Sequence, residues 1–339
     1  MALTLNFECR ELPLRHPFTI SRYTVTLQKT MIAIVSDGTF TGYGEATANP
    51  YYGSTIEKLT AGFQKVAPIV ESAGDLHPSE LWQMLAPMLS DDFFALCAVD
   101  VAYWDYYARK HKKTLRSFWS DQNSYTPMTS YTIGIDEIAV MKHKIAEMPW
   151  PIYKIKLGTP DDIKIIEALR SATDAVFRVD ANGGWTAGQT VSYSKILKDL
   201  NVEFIEQPLP ASDTEGMKKV KAESEVIVIA DESCQREEDV AACAERFHGI
   251  NIKLMKCGGI TPALRMIEST RERDLLIMAG CMTESTVGIS GLVQLAPLLN
   301  YLDADGAMLL SKDIADGVSF DFGKIRYPVR DGAGAELWR

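Results

Sequence analysis

Five short apolar runs, each ending in a charge, recur at a nearly constant interval, and this feature restricts the fold more than any other. They are Tyr153-Lys154-Ile155-Lys156, Val176-Phe177-Arg178-Val179-Asp180, Val202-Glu203-Phe204-Ile205-Glu206, Val226-Ile227-Val228-Ile229-Ala230-Asp231 and Ile250-Asn251-Ile252-Lys253. Their terminal charges, Lys156, Asp180, Glu206, Asp231 and Lys253, stand 24, 26, 25 and 22 residues apart, with helix-like sequence between them. That interval is one strand-plus-helix unit of a parallel sheet. Charges at the same end of successive buried strands are costly unless a site uses them. The stretch from Tyr153 to Ala307 is therefore expected to carry the chemistry.

Candidate strands are 128–133, 152–156, 176–180, 202–206, 226–230, 249–253, 275–279 and 300–305, with amphipathic segments such as Asp161–Ala172 and Ala187–Leu200 between them. Eight such repeats predict an α/β chain closed into a barrel, whose site lies at the C-terminal ends of the strands. A doubly wound open sheet would want a Gly-rich turn after its first strand, which Gly134-Ile135-Asp136-Glu137 does not supply.

Upstream the order changes. Residues 3–10 and 30–36 read as strands, Asp37-Gly38 as a hairpin turn leading to a partner strand through Tyr43-Gly44-Glu45, and 55–70, 78–89 and 92–111 as helices. Strands followed by helices describe a small α+β domain. The stretch 16–24, too long for a tight turn, is expected to be a mobile functional loop, and 48–55 is a second polar loop. The tail from Val318 to Tyr327 reads as strand and is expected to return to the N-terminal domain.

A net charge of −10 and a pI near 5.1 argue against nucleic acid or anionic membrane as partners and leave self-association open. No apolar run approaches the roughly 20 residues of a membrane span, and the N-terminus lacks the features of a secretory signal. Six scattered cysteines without a Cys-x-x-Cys pair read as reduced core thiols of a cytoplasmic protein.

Numbered around a closed barrel, strands three, four and five are neighbours and end in Asp180, Glu206 and Asp231. Three adjacent carboxylates repel one another unless a cation sits among them, and oxygen ligands alone suit Mg²⁺. Lys154 and Lys156 end strand two and Lys253 ends strand six, across the mouth. Such lysines can serve opposite faces of one carbon: Lys156 removes a proton and Lys253 returns one, with inversion. A substrate carboxylate on the cation would acidify the α-hydrogen by stabilising the enediolate. A lysine base needs its pKa, ordinarily about 10.4, lowered, as a cation and Lys154 nearby would do. Asp303 and Asp305, ending strand eight and two apart, are expected to share a face and favour a cationic group at the substrate's far end. Carboxylate at one end and ammonium at the other suits a dipeptide.

At these residues the chain resembles the enolase superfamily, in its muconate-lactonising subgroup, and most of all its dipeptide epimerases. The resemblance rests on Lys154-Ile155-Lys156, Asp180-Ala181-Asn182, Glu206-Gln207-Pro208, Asp231-Glu232-Ser233, Asn251–Lys256 and Asp303-Ala304-Asp305, in this order. It implies a modified (β/α)₇β barrel over 121–312, with an α+β capping domain from 1–120 plus 313–339. It implies Mg²⁺ on Asp180, Glu206 and Asp231, Lys156 and Lys253 as the acid/base pair, and Lys154 on the substrate carboxylate. Asp303 and Asp305 would take the dipeptide ammonium, and Cys281, Met282 and Thr283 would frame the substrate backbone. The loop 16–24 would close over the substrate, with Arg22 meeting an acidic side chain. The implied substrate is L-Ala-D/L-Glu or a related dipeptide, in murein peptide metabolism.

The same metal and lysines serve N-acylamino acid racemisation, o-succinylbenzoate synthesis and cycloisomerisation, which have no need of both aspartates. A Schiff-base aldolase built on Lys253 and a non-catalytic binding protein are the readings from other classes.

Overall fold

The computed structural model describes residues 3–21, 23–121 and 124–338. Eight parallel strands form one sheet in chain order: β4 (Tyr131–Ile133), β5 (Ile152–Lys156), β6 (Val176–Asp180), β7 (Val202–Glu206), β8 (Ile227–Ala230), β9 (Gly249–Ile252), β10 (Leu276–Gly280) and β11 (Tyr301–Asp303). Thr129, just ahead of β4, pairs in parallel with Leu302 of β11, which brings the sheet round on itself. The sheet is a nearly closed barrel. It is lined at its base by Phe204, Ile229 and Met278, all fully buried. Buried on both faces, the strands read as apolar runs rather than alternating ones.

The outer helices are α4 (Ile138–Glu147), α5 (Asp162–Arg170), α6 (Ala187–Asp199), α7 (Thr214–Glu223), α8 (Asp239–Ala244), α9 (Leu254–Cys257), α10 (Ile260–Arg271) and α11 (Thr286–Leu292), and β11 is followed by a 3₁₀ turn. Local signals set their starts. In α6, Thr186 accepts from Gln189 N while the Gln189 side chain reaches back to Thr186, a reciprocal cap.

Over the barrel sits an antiparallel sheet, β1 (Thr4–Thr19), β2 (Thr24–Ser36) and β3 (Thr41–Thr47), with helices α1 (Ile56–Ser72), α2 (Pro78–Leu85) and α3 (Phe93–Lys110). Of the stretch 16–24, expected to be a loop, residues 16–19 and 24 lie in the two strands of a long hairpin. Phe18 pairs with Val25 and Thr19 with Thr24, after a register shift beyond Pro13. Both faces of this arm are partly exposed, so no buried alternation marks it in the sequence. Arg22 lies outside the described residues.

Asp100 and Asp105, buried on α3, tie this unit to the rest. Asp105 accepts from Tyr43 N, Arg109 Nε and Ala333 N, drawing the tail onto α3. The tail is two short pairings rather than one strand: β12 (Ala315–Asp316) with β15 (Glu336–Leu337), and β13 (Ser319–Asp321) with β14 (Lys324–Arg326).

Asp100 crosses to the barrel, accepting from Thr261 N at 2.9 Å and Thr261 Oγ1 at 2.7 Å at the start of α10. Asp100→Ala leaves Thr261 N–H buried without its partner, so a loss of about 1–3 kcal/mol is expected in chemical denaturation. An unchanged midpoint would show that this tether contributes nothing.

Cys97, Cys234, Cys243 and Cys257 are buried as expected, whereas Cys9 is exposed and Cys281 half-buried at the barrel mouth. No helix among the described residues is long and apolar enough to cross a membrane.

Candidate active site

The register of the sheet sets the site. Lys156 on β5 pairs with Asp180 on β6, and Asp180 with Glu206 on β7, so three charged side chains stand on consecutive strands at the C-terminal rim. Asp231 follows β8 by one residue. Suitable oxygens of Asp180, Glu206 and Asp231 all lie within 4.8 Å of one another, and all three residues are buried. Lys253 follows β9, four strands from β5 in a barrel of eight, so it and Lys156 rise from opposite walls.

Two motif residues outside the predicted set hold the carboxylates in place, and a buried lysine joins them. Gln207 sits at φ +34°, a left-handed conformation rare for its type. From there its Oε1 accepts from Asp231 N and Ser233 N, and its Nε2 donates to Leu209 O, binding the ends of β7 and β8 together. Asn251 donates to Glu206 Oε1 at 2.8 Å. A Cβ on Gly280 would stand 2.8 Å from the Asn251 amide, so the glycine leaves room for it. Lys256, fully buried, donates to Asp231 Oδ1 at 2.6 Å and to the carbonyls of Asp231 and Cys234. Gln207, Asn251 and Lys256 lay inside the recognised motifs. The rim carboxylate residues they bind sit 24 to 45 residues away, so spacing alone gave them no role.

Charge is densely interleaved here. Lys156 Nζ lies 2.6 Å from Asp180 Oδ2, and Lys253 Nζ 2.8 Å from Asp231 Oδ2. Lys154 Nζ reaches Glu206 Oε2 at 2.7 Å, Asp303 Oδ2 at 2.8 Å and Asp180 Oδ2 at 3.3 Å. Burial pushes the Asp180 carboxyl up, but Lys156 and Lys154 outweigh it and hold it at about 2. Asp231, flanked by Lys253 and Lys256, is likewise well below the carboxylate range despite its burial. Glu206 goes the other way, to about 7, through burial and the charge of Asp180. Burial lowers Lys253, yet Asp231 prevails and keeps it above the ordinary ammonium range. The carboxylate nearest to Lys253 thus holds it as an ammonium.

Asp303 and Asp305 both enter the cavity, but not by strand alternation. β11 ends at Asp303, and Asp305 opens the following 3₁₀ turn. Asp303 accepts from Ser130 Oγ at 2.8 Å, and Asp305 from Thr132 N at 2.6 Å and Thr132 Oγ1 at 3.2 Å. Burial and the charge of Asp303 push Asp305 up to about 7. The single ammonium of Lys154 touches Asp303 as well as Glu206 and Asp180, so Asp303 stands close to the acidic trio.

One cavity gathers these groups. Lys154, Lys156, Asp231, Lys253, Asp303 and Asp305 line it from the barrel, and Cys281, Met282 and Thr283 from the segment after β10. From above come Phe18, Ile20 and Tyr23 of the hairpin, and Asn49, Tyr51 and Tyr52 of the second loop, which contains a 3₁₀ turn at Pro50–Tyr52. Asp180 and Glu206 are fully buried beside Lys154, which lines the cavity.

The donor set fits a hard divalent cation. All three groups are carboxylates, and Glu206 Oε2 is buried and receives no well-formed hydrogen bond although the Lys154 ammonium stands beside it. Such an oxygen is a ready ligand for Mg²⁺.

Comparison with known proteins agrees with this geometry. Residues 3–118 match the family model "Mandelate racemase / muconate lactonizing enzyme, N-terminal domain", and residues 138–338 match "Enolase C-terminal domain-like". The chain is 50% identical to an L-Ala-D/L-amino acid epimerase of Flavobacterium johnsoniae over 96% of this chain and 97% of that one. It is similar in structure to an enolase family member from Agrobacterium tumefaciens described as having homology to dipeptide epimerases and bound to L-Ala-L-Glu. That match has a TM-score of 0.88 and 35% identity, and covers 97% of this chain and 98% of the other. A dipeptide epimerase from Enterococcus faecalis, complexed with Mg and L-Leu-L-Tyr, superposes with a TM-score of 0.92 at 27% identity over 99% of each chain. On fold, on rim chemistry and on these matches, the chain belongs to the mandelate racemase/muconate lactonizing enzyme family of the enolase superfamily.

Proposed function

We propose that this chain is an isomerase: a Mg²⁺-dependent dipeptide epimerase that inverts the α-carbon of the C-terminal residue, with L-Ala at the N-terminus. One observation carries the reading. A single cavity gathers Lys156 and Lys253, from opposite strands of the barrel, with Asp303, Asp305 and Asp231, and Asp231 shares a buried acidic trio with Asp180 and Glu206.

In this reading Lys154 meets the substrate carboxylate, and Cys281, Met282 and Thr283 frame the peptide backbone. Lys156 takes the α-proton from one face and Lys253 delivers one to the other, with roles exchanged for the opposite epimer. Mg²⁺ held by Asp180, Glu206 and Asp231 supplies the positive charge that offsets charge developing at the carboxylate. Asp303 and Asp305 receive the ammonium. Arg22 remains our candidate for meeting an acidic side chain, and L-Ala-D/L-Glu the candidate substrate within the class. We place the enzyme in the cytoplasm, in murein peptide metabolism, without nucleic-acid or membrane partners.

The test is a dipeptide library incubated with Mg²⁺ in D₂O, reading deuterium at each α-carbon by mass spectrometry. Label at the C-terminal residue's α-carbon is expected; none on any dipeptide would overturn the reading. N-acylated analogues, which lack the ammonium, separate this activity from N-acylamino acid racemisation.

Asp305 gives a pH signature. Its carboxyl titrates near 7 in the free protein and must be ionised to receive an ammonium. kcat/KM for dipeptides is therefore expected to rise as pH increases through about 7. Asp305→Asn is expected to flatten that limb and cost about 100-fold, since a buried charge-assisted bond is lost. A pH profile identical to wild type would remove Asp305 from ammonium binding.

A further inference from the structure

A second cavity lies against the aspartate end of the first. The two share Phe18, Thr132 and Leu309, so these side chains form the partition between them. Thr132 is fixed there by its two bonds to Asp305. Beyond the partition the cavity is lined by Leu14, Pro17, Tyr131 and Gly134, and by Arg15, whose Nε donates to Leu310 O at 2.9 Å. His16 and Lys144, also bordering this cavity, are already paired with Glu147 and Asp136.

Both movable members of the partition are held by their backbones. Phe18 packs directly on the chain after β4: a Cβ on Gly134 would stand 3.4 Å from its ring and 3.1 Å from Thr19 O. Ile135 N donates to Thr19 O at 2.9 Å, which locks that contact. Leu309 ends the turn that Asp305 opens, and its neighbours Leu310 and Ser311 pair with Leu14 and Pro13 of β1. The partition thus sets two apolar side chains on a fixed frame beside Thr132, which is bonded to the Asp305 carboxylate.

We propose that Phe18 and Leu309 set the size limit on the dipeptide's N-terminal residue, and that the cavity behind them is the space a larger apolar side chain takes when either is cut back. The inference rests on the dipeptide reading above. An ammonium at Asp303 and Asp305 puts the N-terminal α-carbon beside Thr132, so that residue's side chain faces the partition. The wall restricts it to the size of alanine.

The test measures kcat/KM for dipeptides with N-terminal Ala, Val, Leu or Phe and a common C-terminal residue, and for L-Ala paired with varied C-terminal residues. Wild type, Phe18→Ala and Leu309→Ala are compared, with Phe18→Leu and Leu309→Val as milder variants should the first two not fold. Wild type is expected to favour Ala over Leu by about 100-fold, the cost of several methylenes that find no space. In the variants that ratio is expected to shrink at least about tenfold, mainly through KM, while the order among C-terminal residues is kept. The proposal is overturned if wild type turns over Leu-first dipeptides as fast as Ala-first ones. It is equally overturned if the ratio is unchanged in the folded variants, or if the C-terminal order shifts by as much. A wild type inert on every dipeptide would instead refute the function on which the inference rests.

Discussion

Replacing Lys156 or Lys253 by Ala is expected to lower epimerisation by about 10³-fold, the usual contribution of a positioned general base or acid. The two variants should nevertheless fail differently. In the proposed mechanism the lysines stand on opposite walls and each would serve one face of the α-carbon. Loss of Lys156 should leave α-hydrogen exchange intact for one epimer in D₂O and abolish it for the other; loss of Lys253 should give the reverse. Because Lys156 and Lys253 lie 2.6 and 2.8 Å from buried Asp180 and Asp231, deletion also removes one of the two ammonium groups beside each carboxylate, leaving Asp180 with Lys154 and Asp231 with Lys256. Lys156→Arg and Lys253→Arg keep that charge compensated while holding their protons at neutral pH, so they separate chemistry from folding. Wild-type turnover in any of the four, or exchange of the same epimer in both Ala variants, would end the two-base assignment.

Chelation should be equally decisive. Stripping the protein of divalent ions is expected to reduce turnover by at least about 10³-fold, equivalent to about 4 kcal/mol of lost charge stabilisation, and Mg²⁺ should restore it. A second readout is independent of activity. Since the three oxygens come together only in the folded barrel, Mg²⁺ binds the native state alone and should raise Tm. Asp231→Asn should abolish that rise. Full activity in protein shown metal-free by elemental analysis would sink the assignment, and would direct attention to borohydride trapping of an imine on Lys253.

Within the barrel, the strand pattern is legible in the sequence. The predicted runs 152–156, 176–180 and 202–206 coincide with β5, β6 and β7, and the other five fall within a few residues. Parallel strands buried on both faces demand unbroken apolar runs, and a charge closing such a run stands out against them. The hairpin arm is not legible, because a ribbon exposed on both sides imposes no periodicity on its residues.

By itself, then, the sequence determined the repeat, the rim on which Lys156, Asp180, Glu206, Asp231 and Lys253 stand, and through its motifs the family. Only the tertiary structure decided who meets whom. Lys154 bridges Glu206 to Asp303, Lys256 and Gln207 hold Asp231, and Thr132 holds Asp305. The physical reason is that local pattern records which face of an element is buried. Pairing across a closed barrel depends on register and on burial of several charges at once, and those exist only after the sheet has joined its ends.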